Sequence, residues 1–146
     1  MKLILNRFVV FLFFVCSPVF GDDIFKTYTI KVAGIKIGKL DWEIKINDNN
    51  YTNKIKIKSE GFLSALYRFE GDYFSEGSLK DKTLKPKKYS HTWKTTKTTK
   101  KMFLFFDNNK LKLLEQEPVE SEYLRINVFN IEKTKDPLTS FLQIIM

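Results

Sequence analysis

Leu40, Trp42, Ile44 and Ile46 make every second residue apolar, with Asp41, Glu43 and Lys45 standing between them. Successive side chains of a strand point to opposite faces, so this period of two predicts a strand with one dry and one wet face. Ile55 and Ile57 repeat the pattern against Lys54, Lys56 and Lys58, and upstream Tyr28, Ile30 and Val32 do the same. Asn47-Asp48-Asn49-Asn50 lies between two of these runs and predicts a turn, because Asn and Asp tolerate left-handed backbone angles. Gly34 and Gly38 bracket Ile35-Lys36-Ile37, where the chain turns tightly or bulges. Residues 24–58 thus read as a three-stranded antiparallel meander.

Further along the period changes. Phe62, Ala65, Leu66 and Phe69 fall at i, i+3, i+4 and i+7, one face of a short helix set between Gly61 and Gly71. A strand over Asp72–Ser78 follows, then a loop around Asp81 to Pro86, then a strand presenting Tyr89, His91 and Trp93 on one side. Thr95 to Lys101 is polar on both faces and reads as a hairpin tip in solvent. Met102 to Phe106 is apolar on both faces, as expected of a strand covered on both sides or facing a cavity. Asp107-Asn108-Asn109 predicts a tight turn into a return strand with Leu111, Leu113 and Leu114, and residues 121–131 suggest one more strand. Asp136 can cap a helix that begins at Pro137, with Leu138, Phe141, Leu142 and Ile145 as its apolar stripe. That stripe runs to Met146 without a stop signal, which suggests a truncated reading or a tightly packed helix end.

The fold class expected is mainly β (α+β): one antiparallel, strongly curved sheet or half-open barrel with two short helices. The first residues stand outside that fold. Met1, Lys2, Asn6 and Arg7 make a positively charged start, Phe8 to Val15 is an unbroken apolar run, and Val19-Phe20-Gly21 offers a cleavage site. This is the layout of a secretory signal. It predicts a signal at 1–21, a single domain at 22–146, and a periplasmic location. The apolar run falls short of the roughly 20 residues of a spanning helix. Cleavage at Cys16 to give a lipoprotein is disfavoured by Phe13, Phe14 and Val15 ahead of it, where small residues are preferred. The remaining chain would hold no cysteine, and so no disulfide, thiolate metal site or cysteine nucleophile.

The sequence holds 25 basic and 17 acidic residues, and removing Lys2 and Arg7 leaves 23 against 17, a net +6. Such a surface suits anionic partners such as phospholipid headgroups; export argues against nucleic acid. Lys94, Lys97, Lys100 and Lys101 gather at the hairpin tip, with Lys85, Lys87 and Lys88 on its approach. They are candidates for contact with an anionic membrane surface, although lysines also guard strand edges against aggregation. Trp93, Met102, Phe103, Phe105 and Phe106 are the candidates for an apolar, ligand-holding groove, the other reading of that strand being plain core.

Catalytic chemistry has little to stand on. His91 is the one histidine, and its place beside Tyr89 and Trp93 reads as a partly buried ring in an aromatic row. A zinc site needs three or four ligands, so no metal or cofactor is expected. Asp41 and Glu43 sit on the wet face of a strand, where nothing raises a carboxyl pKa. No glycine pattern matches a phosphate or dinucleotide loop.

Tyr28, the Gly34–Gly38 pair, Tyr51, Ser59-Glu60-Gly61-Phe62, Ser75 with Gly77, Leu84, Pro86, Tyr89 and Asp136-Pro137-Leu138 form, in order and spacing, a set that resembles the bacterial domain of unknown function 3108 family. The resemblance implies an exported protein of Gram-negative bacteria with a mostly antiparallel β fold, more distantly similar to the curved-sheet lipoprotein carriers of the periplasm. It implies no catalytic residue, because none is established for the family, and typical members continue past the Asp-Pro-Leu helix into further strands. The function expected is a non-enzymatic periplasmic binder of an apolar or amphiphilic, lipid-like ligand. The alternative is an interaction module that holds another envelope protein through a sheet edge or the basic hairpin. An enzyme, with His91 beside two carboxylates, comes third.

Overall fold

A computed structural model describes residues 23–119 and 127–146. The expected signal at 1–21, with Cys16, lies outside the described residues, as does most of the strand expected at 121–131; of the remainder, Val128–Asn130 is a single 3-10 turn.

Seven strands pair in chain order: β1 (Asp23–Val32), β2 (Ile35–Asn47), β3 (Asn50–Ser59), β4 (Phe69–Lys80), β5 (Thr83–Thr95), β6 (Thr99–Asp107) and β7 (Lys110–Glu117). All pairs are antiparallel, and among the described residues β1 and β7 stay unpaired with each other, so the sheet is open. Two helices, α1 (Phe62–Leu66) and α2 (Pro137–Ile145), complete the mainly β architecture. The predicted three-strand meander is present. Register shifts at Ile30/Lys31, Glu76/Gly77 and Phe105/Phe106 add local bends of the kind bulges give.

The turns explain themselves residue by residue. Ala33-Gly34, Asp81-Lys82 and Asn108-Asn109 each place both central residues at positive φ, the two-residue geometry that matches strand twist. Asp48 and Asn49 close β2 onto β3 without positive φ, so the left-handed angles expected there are not used. At the hairpin tip Thr95 Oγ1 accepts hydrogen bonds from the Lys97 (3.2 Å) and Thr98 (3.0 Å) amides.

Two sequence expectations are corrected. The loop drawn from Asp81 to Pro86 shrinks to Asp81-Lys82, and Leu84 and Pro86 are buried strand residues. A proline is tolerated inside β5 because it falls at the Glu76/Gly77 bulge. The helix at Phe62 is a single turn: Phe69, read as part of its face, already opens β4, with its amide donating to Ser59 Oγ at 2.9 Å. Five residues cannot sustain a helix unaided, and Phe62 and Leu66 are exposed.

α2 begins as the sequence predicts, with Asp136 accepting from the Thr139 amide at 2.9 Å and Pro137 in the first turn. It lies on β3, β4 and β5 and joins two core clusters. Leu142 packs with Ile44, Tyr51 and Leu84, and Leu138 packs with Tyr89, Phe106 and Leu111.

Candidate functional site

The seat of α2 is a polar cluster enclosed by that core. Tyr51, Ser75, Asp136 and Thr139 are all buried, Asp136 to 1% exposure. Ser75 Oγ donates to Asp136 Oδ2 at 3.1 Å, the Ser75 and Thr139 hydroxyls lie 2.8 Å apart, and the Tyr51 hydroxyl reaches Thr139 Oγ1. Trp42 Nε1–H donates to Asn53 Oδ1 at 2.7 Å, and Asn53 Nδ2–H donates to the Leu138 carbonyl at 3.2 Å. At the other end of α2 the Leu84 amide donates to Gln143 Oε1 at 2.7 Å. Among the described residues no buried side-chain nitrogen or oxygen lacks a partner. Buried polar groups fully satisfied in this way fix one geometry, and here they fix where the helix crosses the sheet.

Gly77 makes room for this arrangement. A Cβ there would stand 2.0 Å from the Lys85 carbonyl oxygen and 2.8 Å from Tyr51 Cε1. Burial pushes the Tyr51 hydroxyl up to about 12, against hydrogen bonds from Thr139 and Ser75 that act the other way. Tyr89 rises to about 12, first through burial and then through the negative charge of Asp136. Tyr51, Ser75, Gly77, Leu84, Tyr89 and Asp136-Pro137-Leu138, separate landmarks in the sequence, thus meet at one helix seat. Its hydroxyls and carboxyl are spent on one another and closed to solvent. This is a structural lock.

Beside the lock the crossing angle of α2 leaves a gap. Leu40, Ile55, Ile57, Tyr73 and Tyr89 form its floor, and Pro137, Leu138 and Phe141 form its wall. The groove measures about 280 Å³ and is open to solvent. Trp42 stands against Phe141 with ring centroids 5.5 Å apart and closes one flank. On the other, Phe69 and Trp93 meet edge-to-face at 5.2 Å. A larger recess of about 640 Å³ lies among the turn residues Asn50, Ser78, Lys85 and Asn108, but its lining is mixed and offers no continuous apolar wall.

The five residues expected to line a groove divide between the two faces of the sheet. Directly paired residues share a face, so the pairings of Tyr89 with Leu104 and of His91 with Met102 put Met102, Leu104 and Phe106 on the side of α2, together with Trp93. Phe103, paired with Ser90 and Glu115, and Phe105, paired with Lys88 and Leu113, belong to the opposite, open face. Phe106 is core, Met102 is half-buried, and Trp93 is 44% exposed beside the groove. The groove floor itself comes from β2, β3, β4 and Tyr89 of β5, none of them a residue expected to line a groove. The alternation Leu40, Trp42 and Ile55, Ile57 was its signal.

The lysine hairpin is present and solvent-facing, with Lys94, Lys97, Lys100 and Lys101 all exposed. Lys101 pairs with Glu117 at 3.0 Å. Lys100 faces the groove side, directly opposite Trp93. His91 has its ring 5.7 Å from those of Tyr73 and Tyr89 and shares a 3.1 Å hydrogen bond with the Tyr89 hydroxyl; burial lowers its pKa. Asp41, on the open face, is held below the usual carboxylate range by hydrogen bonds from Thr27 and then Lys39. Among the described residues no group of three His, Cys, Asp or Glu side chains is placed to hold a metal.

Comparison with known proteins adds one match: the family model described as Protein of unknown function (DUF3108) covers residues 27–145. No curated protein and no solved structure matches the chain.

Proposed function

The chain belongs to the DUF3108 family of proteins of unknown function, and on that footing we propose that it is an exported cell-envelope protein that holds the apolar part of a lipid-like ligand without transforming it. The observation that carries this reading is the groove beside α2, whose floor and wall are aliphatic and aromatic side chains left open to solvent. Soluble proteins expose continuous apolar concavities chiefly where something binds. At about 280 Å³ it falls just short of the roughly 300 Å³ at which small-molecule sites start. One acyl chain or one ring system fits; a whole phospholipid does not. Export is supported by the charged start and apolar run of residues 1–21, which would deliver the domain to the periplasm.

Mass spectrometry of the protein purified without detergent from a bacterial periplasm, run native and denatured, tests both parts. The expected result is a chain cut after Gly21 that carries a dissociable apolar molecule, lost in Ile57→Lys. A cut chain that stays empty even after incubation with total lipid extract would overturn the binding reading. An uncut chain would overturn cleavage after Gly21, and absence of the chain from the periplasmic fraction would overturn export.

A second reading rests on β1. This ten-residue strand has an unpaired edge among the described residues and exposes Phe25 and Val32, at 67% and 59%. Long apolar edges invite pairing with another chain, so an interaction module of the envelope would dock there. Loss of a co-purifying envelope protein in Phe25→Lys, with the groove ligand kept, would favour it.

A further inference from the structure

We propose that the groove takes the chain of an anionic amphiphile and sets its charged head against Lys100. This names the ligand class for the binding reading above and rests on it. The charges of the sheet are sorted by face. Pairing carries every strand carboxylate, from Asp23, Asp41 and Glu43 through Asp72 and Glu76 to Glu117, onto the open face. Among strand residues that the pairing places on the groove face there is no Asp or Glu, and the formal charges are Lys26 and Lys100; Lys87 and Lys112, at bulges, have no partner in the register. Neither is ion-paired among the described residues, a state they share with the other described lysines outside the eight that are paired.

The sheet also connects groove to cation. Leu40 and Ile57 of the groove floor lie in one cross-strand row that continues through Gly71 and Trp93 to Lys100. Three strand spacings separate Ile57 from Lys100, about 14 Å. Lys26 lies beyond Trp42, which closes that flank against Phe141. Lys94, Lys97 and Lys101 raise the positive potential around Lys100 and not around Lys26. An apolar trough that ends at an unpaired lysine, with no strand carboxylate on its face among the described residues and Asp136 buried and bonded behind its wall, is complementary to a hydrocarbon tail with an anionic head.

Both tryptophans of the chain, Trp42 and Trp93, flank the groove, so their fluorescence reports occupancy. The purified protein is titrated with dodecyl phosphate, dodecyl maltoside and dodecyltrimethylammonium, each below its micelle-forming concentration. Dodecyl phosphate is expected to bind about fivefold or more tightly than the other two, the effect of one lysine near an anion. Lys100→Glu, a change at an exposed side chain, is expected to abolish that preference, and Lys26→Glu to leave most of it. Equal affinity for all three, or a preference that survives Lys100→Glu, overturns the inference while leaving the groove reading intact. Binding of none overturns both.

Discussion

On the side of the sheet that α2 covers, Asp136, Ser75, Thr139 and Tyr51 are buried and bonded to one another, and Leu138 and Leu142 fill the space around them. On the open side the recurrent contact is an ion pair in solvent: Lys56 with Asp72 at 3.4 Å, Lys88 with Glu76 at 3.2 Å, Lys45 with Glu43 at 3.2 Å. One aromatic there is met by a cation, Lys54 Nζ lying 5.7 Å from the Phe74 ring centre. Exposed pairs contribute about 0–1 kcal/mol each because water screens them and long side chains lose freedom. Burying one partner of a bonded polar set makes removal of the other far costlier. The same backbone therefore carries one face that determines the structure and one that mainly meets solvent.

That contrast can be broken in graded steps. Gly77→Ala puts a methyl group 2.0 Å from the Lys85 carbonyl oxygen and against the Tyr51 ring; urea unfolding should show a loss of about 3 kcal/mol, at the upper end for overpacking. Asp136→Ala removes the helix cap and leaves the buried Ser75 and Thr139 hydroxyls short of an acceptor. A loss of about 2–3 kcal/mol follows, with Asp136→Asn recovering part of it in the same assay.

The third step uses pH. Tyr51 and Tyr89 ionise at about 12 in the folded protein, against about 10 for an exposed tyrosine. Between those values the unfolded chain has released protons that the folded one retains, so stability is full below about pH 10 and falls as pH rises toward 12. Ultraviolet titration should show these two hydroxyls ionising after the exposed tyrosines, together with unfolding. Last, Lys56→Ala breaks an exposed pair on the open face and should lower the unfolding free energy from urea denaturation by less than about 0.5 kcal/mol. A loss like that of Asp136→Ala would erase the distinction between the faces.

Much of this fold could be read along the chain because its signals are local. Alternation in Leu40–Ile46 and Lys54–Lys58, the Asn108-Asn109 turn and the Asp136-Pro137 cap each depend on neighbours a few residues away. The groove depends on distant ones. Leu40, Ile55 and Ile57 show as a dry face in any window, but whether that face is covered is decided by where α2 crosses. The bonds that set the crossing, Tyr51 to Thr139 and Ser75 to Asp136, join residues 88 and 61 apart. The Phe-rich strand is hard to read for another reason. With both faces apolar the period of two is hidden, so Phe103 and Phe105 read as companions of Met102 and Phe106, although alternation sends them to opposite sides.

The strands pair strictly in the order they occur, so each hairpin can zip onto the last with only a short loop to close. The lock is different in kind: it brings the last helix back onto strands laid down many residues earlier. As the chain folds, the sheet can assemble progressively while Ser75, Tyr51 and the dry faces of β2 and β3 wait for Asp136–Gln143 to arrive. Non-local closure is intrinsically slower than local pairing, and an apolar sheet face left uncovered is prone to aggregate. A chain in which α2 arrives late, or not at all, would expose the whole helix-side face to whatever apolar surface it met first.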